Sequence, residues 1–196
     1  EVLDADDGPV RALGLEPGGY LTLICRPIPE NSILELVEGF SRRPRGIKLA
    51  LLGNYRPAED EYHRAVVDAA SDEVVFLGAI FDPDVVQPLR FHSAMYLHGH
   101  TVGGTNPSLV EALGAGNPVL AHDNAYNRWT AGPDQAYFTT ADDVAARLDS
   151  ALGAQGRLTE MSSAARRRYR AGLTWDQVGE QYRHLLERYL PVGQRT

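Results

Sequence analysis

The feature that most restricts this chain is a repeated alternation of short apolar runs with stretches of helical periodicity. Tyr20 to Cys25 (YLTLIC) reads as a strand, and residues 31–41 read as a helix. Ile47 to Leu52 (IKLALL), closed by Gly53-Asn54, is the next strand, and a helical pattern runs from Glu59 to Ala70. Val74 to Leu77 ends at Gly78, and a short helix over Pro83 to Phe91 follows. Ala94 to Leu97 is a fourth strand, Pro107 to Leu113 a short helix, and Pro118 to Ala121 and Tyr137-Phe138 supply two more strands. Strands separated by helices cannot close as hairpins and need crossovers, so the pattern specifies βαβ units and a doubly wound parallel α/β sheet. From Ala141 onward the pattern is only helical. Thr174-Trp175-Asp176-Gln177 has capping-box spacing and starts the last helix, with Val178, Tyr182, Leu185 and Leu186 on one face and Trp175 packing it against the domain. No internal repeat or low-complexity linker interrupts the chain, so residues 1–196 read as one domain.

Composition narrows the function classes. The net charge of -7 comes with no long stripe of Lys and Arg. Affinity for a phosphate backbone needs clustered cations, so a nucleic-acid partner is not expected. Cys25 is the only cysteine. It cannot form an internal disulfide, no Cys/His spacing spells a zinc finger, and it reads as a small apolar residue at a strand end. A reducing, cytoplasmic setting is the simplest expectation. No apolar stretch approaches the roughly 20 residues that span a bilayer. The run Arg166, Arg167, Arg168 and Arg170 reads as a solvated helix face able to meet acidic lipid head groups at the inner face of a membrane. The polar start at Glu1, with Asp4, Asp6, Asp7 and Gly8, reads as a cut inside a longer protein.

In open parallel sheets, ligands bind beyond the carboxyl ends of the strands. The stretch His98 to Asn117 (HGHTVGGTNPSLVEALGAGN) leaves such an end, turns through Gly103-Gly104 and enters a helix. Asn106 is a good N-cap, and Pro107 suits the first helical position, which needs no amide donor. Free N–H groups at such a start favour an anion, and Gly104 lets a ligand approach the backbone closely. Glu111, one turn on, shares a face with Pro107, and its side chain tilts back toward the helix start. A carboxylate accepts two hydroxyl donors at once, which suits a ribose diol beside a phosphate. The alternative is a solvent-facing glutamate. Arg26, after the first strand, presents a guanidinium that grips phosphate in bidentate fashion, or else pairs with a neighbour such as Glu30.

Together these stretches resemble the C-terminal domain of retaining glycosyltransferases of family 4, which have the GT-B architecture. That family shows Gly-Arg-x-x-Pro-x-Lys-Gly after the first strand of this domain, and Glu-Gly-Phe-Gly-x-x-x-x-Glu-Ala into a later helix. Arg26, Pro29 and Glu30 stand in register here, as do Gly104, Glu111, Ala112, Leu113, Gly114, Gly116, Pro118 and Val119. Phe76-Leu77-Gly78 and the Thr174-Gln177 helix start extend the resemblance over nearly the whole chain. It implies a Rossmann-like donor-binding domain whose acceptor half, an N-terminal domain, lies outside this chain. It implies metal-independent transfer from a nucleoside-diphosphate sugar, with no cofactor, in cell-surface polysaccharide or glycoconjugate synthesis. The partners would be the nucleotide sugar and an acceptor glycan or lipid-linked sugar held by the other half, so this chain alone would bind nucleotide without transferring sugar.

Residue by residue, Arg26 would bind the diphosphate and Glu111 the ribose, the two catalytic positions. Asn31, Gly103, Gly104, Thr105, Asn106 and Ser108 would belong to the donor site, His100 would touch the donor sugar, and Ile80 would line the base. Two departures stand out: Gly103 replaces the family's first glutamate, and Asn31 its lysine. The Gly-Gly-Thr-Asn-Pro-Ser wording is similar to a rhamnosyltransferase-like subgroup, which implies a deoxythymidine- or uridine-diphosphate donor. Two other readings stay open on the residues alone. His98, His100 and His122, with Asp123 nearby, have the residue types of a metal-dependent hydrolase. Gly103 and Asn31 are also what a non-catalytic sugar-nucleotide-binding module would carry.

Overall fold

The computed structural model describes residues 1–154 and 156–189. Six strands form one wholly parallel sheet: β1 (Tyr20–Ile24), β2 (Lys48–Leu52), β3 (Val74–Gly78), β4 (Met95–His98), β5 (Val119–His122) and β6 (Ala136–Phe138). Their order is β3-β2-β1-β4-β5-β6, the doubly wound arrangement in which strand order reverses between β1 and β4. The helices are α1 (Gly8–Ala12), α2 (Ile33–Ser41), α3 (Glu61–Asp68), α4 (Pro83–Phe91), α5 (Pro107–Ala115), α6 (Ala125–Ala131), α7 (Ala141–Gly153), α8 (Arg157–Gly172) and α9 (Trp175–Glu187), with a single 3₁₀ turn at Pro29–Asn31.

Successive strand residues face opposite sides, and the central strands are apolar on both because helices cover both. On one face, Leu21, Leu23, Leu49, Leu51, Met95, Leu97 and Leu120 pack against Ile33, Leu36, Val37 and Phe40 of α2 and Val144 and Leu148 of α7. The other face is divided. Tyr20, Ala50 and Leu52 lie with Val10 of α1 and Leu89 of α4. Tyr96, Val119 and Ala121 lie with Leu109, Ala112 and Leu113 of α5 and Ala165 of α8. Each fully buried Leu, Ile, Val or Phe contributes about 1.5–3 kcal/mol, so these clusters dominate the energetics. The line between the two clusters is the β1/β4 junction, and among the described residues only Ile24 at the end of β1 packs against both.

The caps follow the sequence. Asn106 accepts from the Ser108 amide at the start of α5, and Gly116 ends that helix in the left-handed conformation. Thr140 with Asp143, and Thr174 with Gln177, form reciprocal capping boxes on α7 and α9. Helix α6 is the clearest addition to the sequence reading. It is seven residues long, and its large side chains Tyr126 and Trp129 point outward, so no apolar period announces it. Among the described residues no helix is long and apolar enough to cross a membrane.

Two expectations are corrected. Trp175 is 87% exposed, and α9 buries none of its residues. The apolar stripe of Tyr182, Leu185 and Leu186 exists, but nothing among the described residues covers it. The arginine run is also more than a solvated face. Arg166 donates to the carbonyls of Val2 and Ala115, Arg168 to those of Trp129 and Thr130, and Arg170 pairs with Glu1. Two arginines of α8 thus satisfy carbonyls at the ends of α5 and α6, where helical C=O groups have no partner of their own. Arg167 alone of the four is exposed without such a contact.

Helices α2 and α7 meet so closely that a Cβ added at Gly39 would lie 2.5 Å from the Ala141 carbonyl oxygen and from Val144 Cβ. Gly39→Ala should therefore force the helices apart and cost about 1–3 kcal/mol, despite alanine's better helix propensity. Urea denaturation measures this, and an unchanged midpoint would contradict the packing described.

Candidate active site at the strand-order reversal

At the β1/β4 junction two chain segments leave the sheet side by side: Cys25-Arg26 after β1, and Gly99-His100 after β4. They are fastened by Asn31, which is 2% exposed. Its Nδ2 donates to the Arg26 carbonyl at 2.7 Å, and its Oδ1 meets Nδ1 of His100. Its own backbone crosses Gly99 so closely that a Cβ there would sit 1.8 Å from the Asn31 carbonyl oxygen. Only glycine fits at position 99. The seam continues at Thr101, whose amide and hydroxyl both donate to the Glu30 carbonyl at 2.9 Å. From the other side, Asn124 and Asn127 donate to the His100 carbonyl, each at 2.9 Å.

Tyr96, His98 and His100 alternate onto the same face, and their rings stack with centroids 6.0 and 5.9 Å apart. Burial, with the adjacent His100, pushes the His98 imidazole down to about 3. His100 is lowered too, by burial first and then by the Arg26 guanidinium, so both rings are neutral near pH 7. Cys25 packs against the core, and burial pushes its thiol up to about 12, which leaves it no nucleophile.

Beyond His100 the chain turns through Gly103, at φ +104°, and reaches α5. Asn106 uses its side chain to cap the Ser108 amide, and Pro107 has no donor. The amides of Gly103, Gly104, Thr105 and Asn106 have no hydrogen-bond partner among the described residues. Consecutive unpaired amides in a turn at a helix start form an anion-binding concavity. One turn on, Glu111 pairs with Arg90 of α4 at 2.7 Å. The Arg90 side chain is 11% exposed and that of Glu111 55%, so the arginine is fixed while the carboxylate reaches solvent. Arg90 also donates to Ser108 Oγ at 3.2 Å, which bonds the Tyr96 hydroxyl at 2.8 Å, which reaches the Ile24 carbonyl at 3.2 Å.

These elements border a cleft of about 1280 Å³. Arg26, Ile80, Thr105 and Glu111 all line it, so residues singled out on three separate loops and a helix meet at one cleft. Arg26 does not pair with Glu30; its guanidinium has no ion-pair partner among the described residues. Asn31, His100, Gly103, Gly104, Asn106 and Ser108 are not among the lining residues. Asn31 and Ser108 are engaged internally instead. Arg90 escaped the sequence reading because a lone arginine late in a helix carries no motif. Helices α8 and α9 contribute to the lining as well, including Tyr169, Trp175 and Tyr182.

The metal-hydrolase reading is corrected. Among the described residues no three His, Cys, Asp or Glu side chains converge to hold an ion. His98 is buried in the ring stack, His122 packs edge-on against Phe138, and Asp123 pairs with Arg128.

A model of the family described as "Glycosyl transferase-like" matches residues 32–184. No curated protein sequence matches the chain. Among solved structures, sucrose-phosphate synthase from Thermosynechococcus elongatus is similar at 21% identity and a TM-score of 0.76, over 93% of this chain and 49% of that one. The Anabaena HepE protein in complex with UDP is similar at 17% identity and a TM-score of 0.79, over 92% and 51%. A glycosyltransferase from Rickettsia africae is similar at 12% identity and 0.77, over 95% and 52%. The chain thus spans about half the length of these structures, and what it shares with them at such identities is the fold.

Gly99→Ala should separate the two strand-end loops, lowering the thermal midpoint and abolishing ligand binding in the cleft. A variant with wild-type stability would disprove the close crossing. His98 also predicts an acid response. Its native pKa lies below the ordinary 6.5, so between about pH 6.5 and 3 the unfolded chain takes up a proton that the native state refuses. Stability contributed by this site is therefore present above pH 6.5 and lost as pH falls. His98→Phe should flatten that part of the urea-midpoint profile, and an unaltered profile would show His98 protonated in the native state.

Proposed function

The chain belongs to the glycosyl transferase-like family, and from that membership we propose that it is the donor-binding half of a GT-B glycosyltransferase. In this reading it holds a nucleoside-diphosphate sugar in the cleft beside β1 and β4. The observation that carries the proposal is the convergence of Arg26, Thr105 in the turn of unpaired amides, and Glu111 on one cleft where the strand order reverses. A cation, an amide turn and a carboxylate at one cleft match the needs of a diphosphate and a ribose. The HepE complex holds UDP on the same fold, which supports a uridine or deoxythymidine diphosphate here. Ile80, beyond β3 and packed against the α4 cluster, offers an apolar edge for the base.

The chemistry follows from where charge grows. When the sugar leaves, negative charge develops on the diphosphate, and donors already aimed at it stabilise that charge without reorganising. Arg26 and the turn amides supply those donors, and the transfer we propose is metal-independent and retaining. Glu111 contributes by binding: one carboxylate oxygen rests on Arg90 and the other is open to a ribose diol. Arg90 keeps the carboxylate in place through the Ser108–Tyr96 network. The acceptor, a glycan or lipid-linked sugar in cell-surface polysaccharide synthesis, would be held by an N-terminal half, and a rhamnosyl donor is the substrate class we favour.

Calorimetric titration of this chain with UDP and dTDP should show binding below millimolar concentration. Arg26→Ala removes a charge-assisted bond worth about 1.5–3 kcal/mol, so affinity should fall roughly tenfold to a hundredfold. No heat with either diphosphate at millimolar concentration would overturn the proposal, and unchanged affinity in Arg26→Ala would remove that residue from the site.

A further inference from the structure

The hydrogen bonds around Asn31 fix the proton on a neighbouring ring. The Arg26 carbonyl can only accept, so the Asn31 atom facing it at 2.7 Å is the donating Nδ2. That orientation turns Oδ1, a pure acceptor, toward Nδ1 of His100. Nδ1 must then carry the hydrogen. A neutral imidazole has one N–H, so Nε2 is left with an open lone pair. Burial and the positive charge of Arg26 both oppose a second proton on the ring. Nε2 has no hydrogen-bond partner among the described residues and is not sealed from solvent. The nearest atom that a side chain at position 103 would offer is a Cβ at 3.9 Å, and that position is glycine.

Resting on the donor-site reading above, we propose that His100, locked by Asn31 as the Nδ1–H tautomer, is a specificity-determining residue whose Nε2 accepts a hydrogen bond from a hydroxyl of the donor sugar. The location follows from the diphosphate. With the diphosphate on Arg26 and the nucleoside on Glu111 and Ile80, we place the sugar on the remaining side of Arg26, whose charge acts on the His100 ring at the edge of the cleft. A neutral acceptor suits that place. It binds a hydroxyl without adding negative charge beside a phosphate, and with no proton to give it cannot neutralise the leaving group. Asn31 is a positioning residue here: it sets which nitrogen is bare, and it touches no ligand.

Two measurements test this. Long-range ¹H–¹⁵N NMR of the protein at pH 7 should show His100 protonated on Nδ1, and in Asn31→Ala the ring should shift toward the Nε2–H form. A wild-type Nε2–H tautomer overturns the proposal. The second measurement compares UDP-glucose with UDP and dTDP-rhamnose with dTDP by calorimetry. In His100→Phe, the affinity of the sugar-bearing ligand relative to its bare diphosphate should fall roughly threefold to tenfold for the tighter pair, the loss of one hydrogen bond. His100→Gln, which keeps an acceptor, should retain more of that ratio. An unchanged ratio in His100→Phe for both pairs overturns the contact while leaving the donor-site reading intact. Failure of UDP and dTDP to bind the wild-type protein would instead sink the donor-site reading, and this contact with it.

Discussion

The site depends on the place where the Asn31 backbone lies across Gly99. No other residue fits there, and the closeness of that crossing lets one buried amide side chain bond the loop after β1 to the loop after β4. Parallel strands fix the ends of β1 and β4 next to one another, but strand pairing does not determine what their loops do. Asn31 and the Thr101–Glu30 bonds make the two loops one rigid body. The aim of Arg26 and the conformation of the turn before α5 are both inherited from that fastening.

Around this seam lie donors that no group among the described residues engages. Arg26, Thr105 and Glu111 line a single cleft, and the amides of the turn at 103–106 are unpaired beside it. The α8 arginines show the contrast: Arg166 and Arg168 spend themselves on carbonyls at helix ends and so hold the framework together. Unpaired amides at a helix start beside a cation are where an anion finds donors, which is the basis of the donor-site proposal.

Much of the framework was legible in the sequence. The apolar runs of a doubly covered parallel sheet are long enough to stand out, and the caps at Asn106 and Thr174 act locally. The placements of Arg26 and Glu111 follow from strand ends and helix tilt. What stayed hidden depends on partners distant in sequence. Arg90 is meaningful only once α4 lies beside α5, and Asn31 becomes a bridge only when Gly99 passes beneath it. The outward stripe of α9 failed for a related reason. Apolar periodicity says that a face is to be covered, and Trp175, Tyr182 and Leu186 show that it does not say by what.

The most direct test of the central claim is a crystal structure of this protein soaked with UDP. The account predicts a diphosphate within hydrogen-bonding distance of the Arg26 guanidinium and of amides in the 103–106 turn, with the ribose hydroxyls on the Glu111 oxygen that Arg90 leaves free. A diphosphate bound outside the β1/β4 cleft, or a ribose with Glu111 turned away from it, would contradict the account.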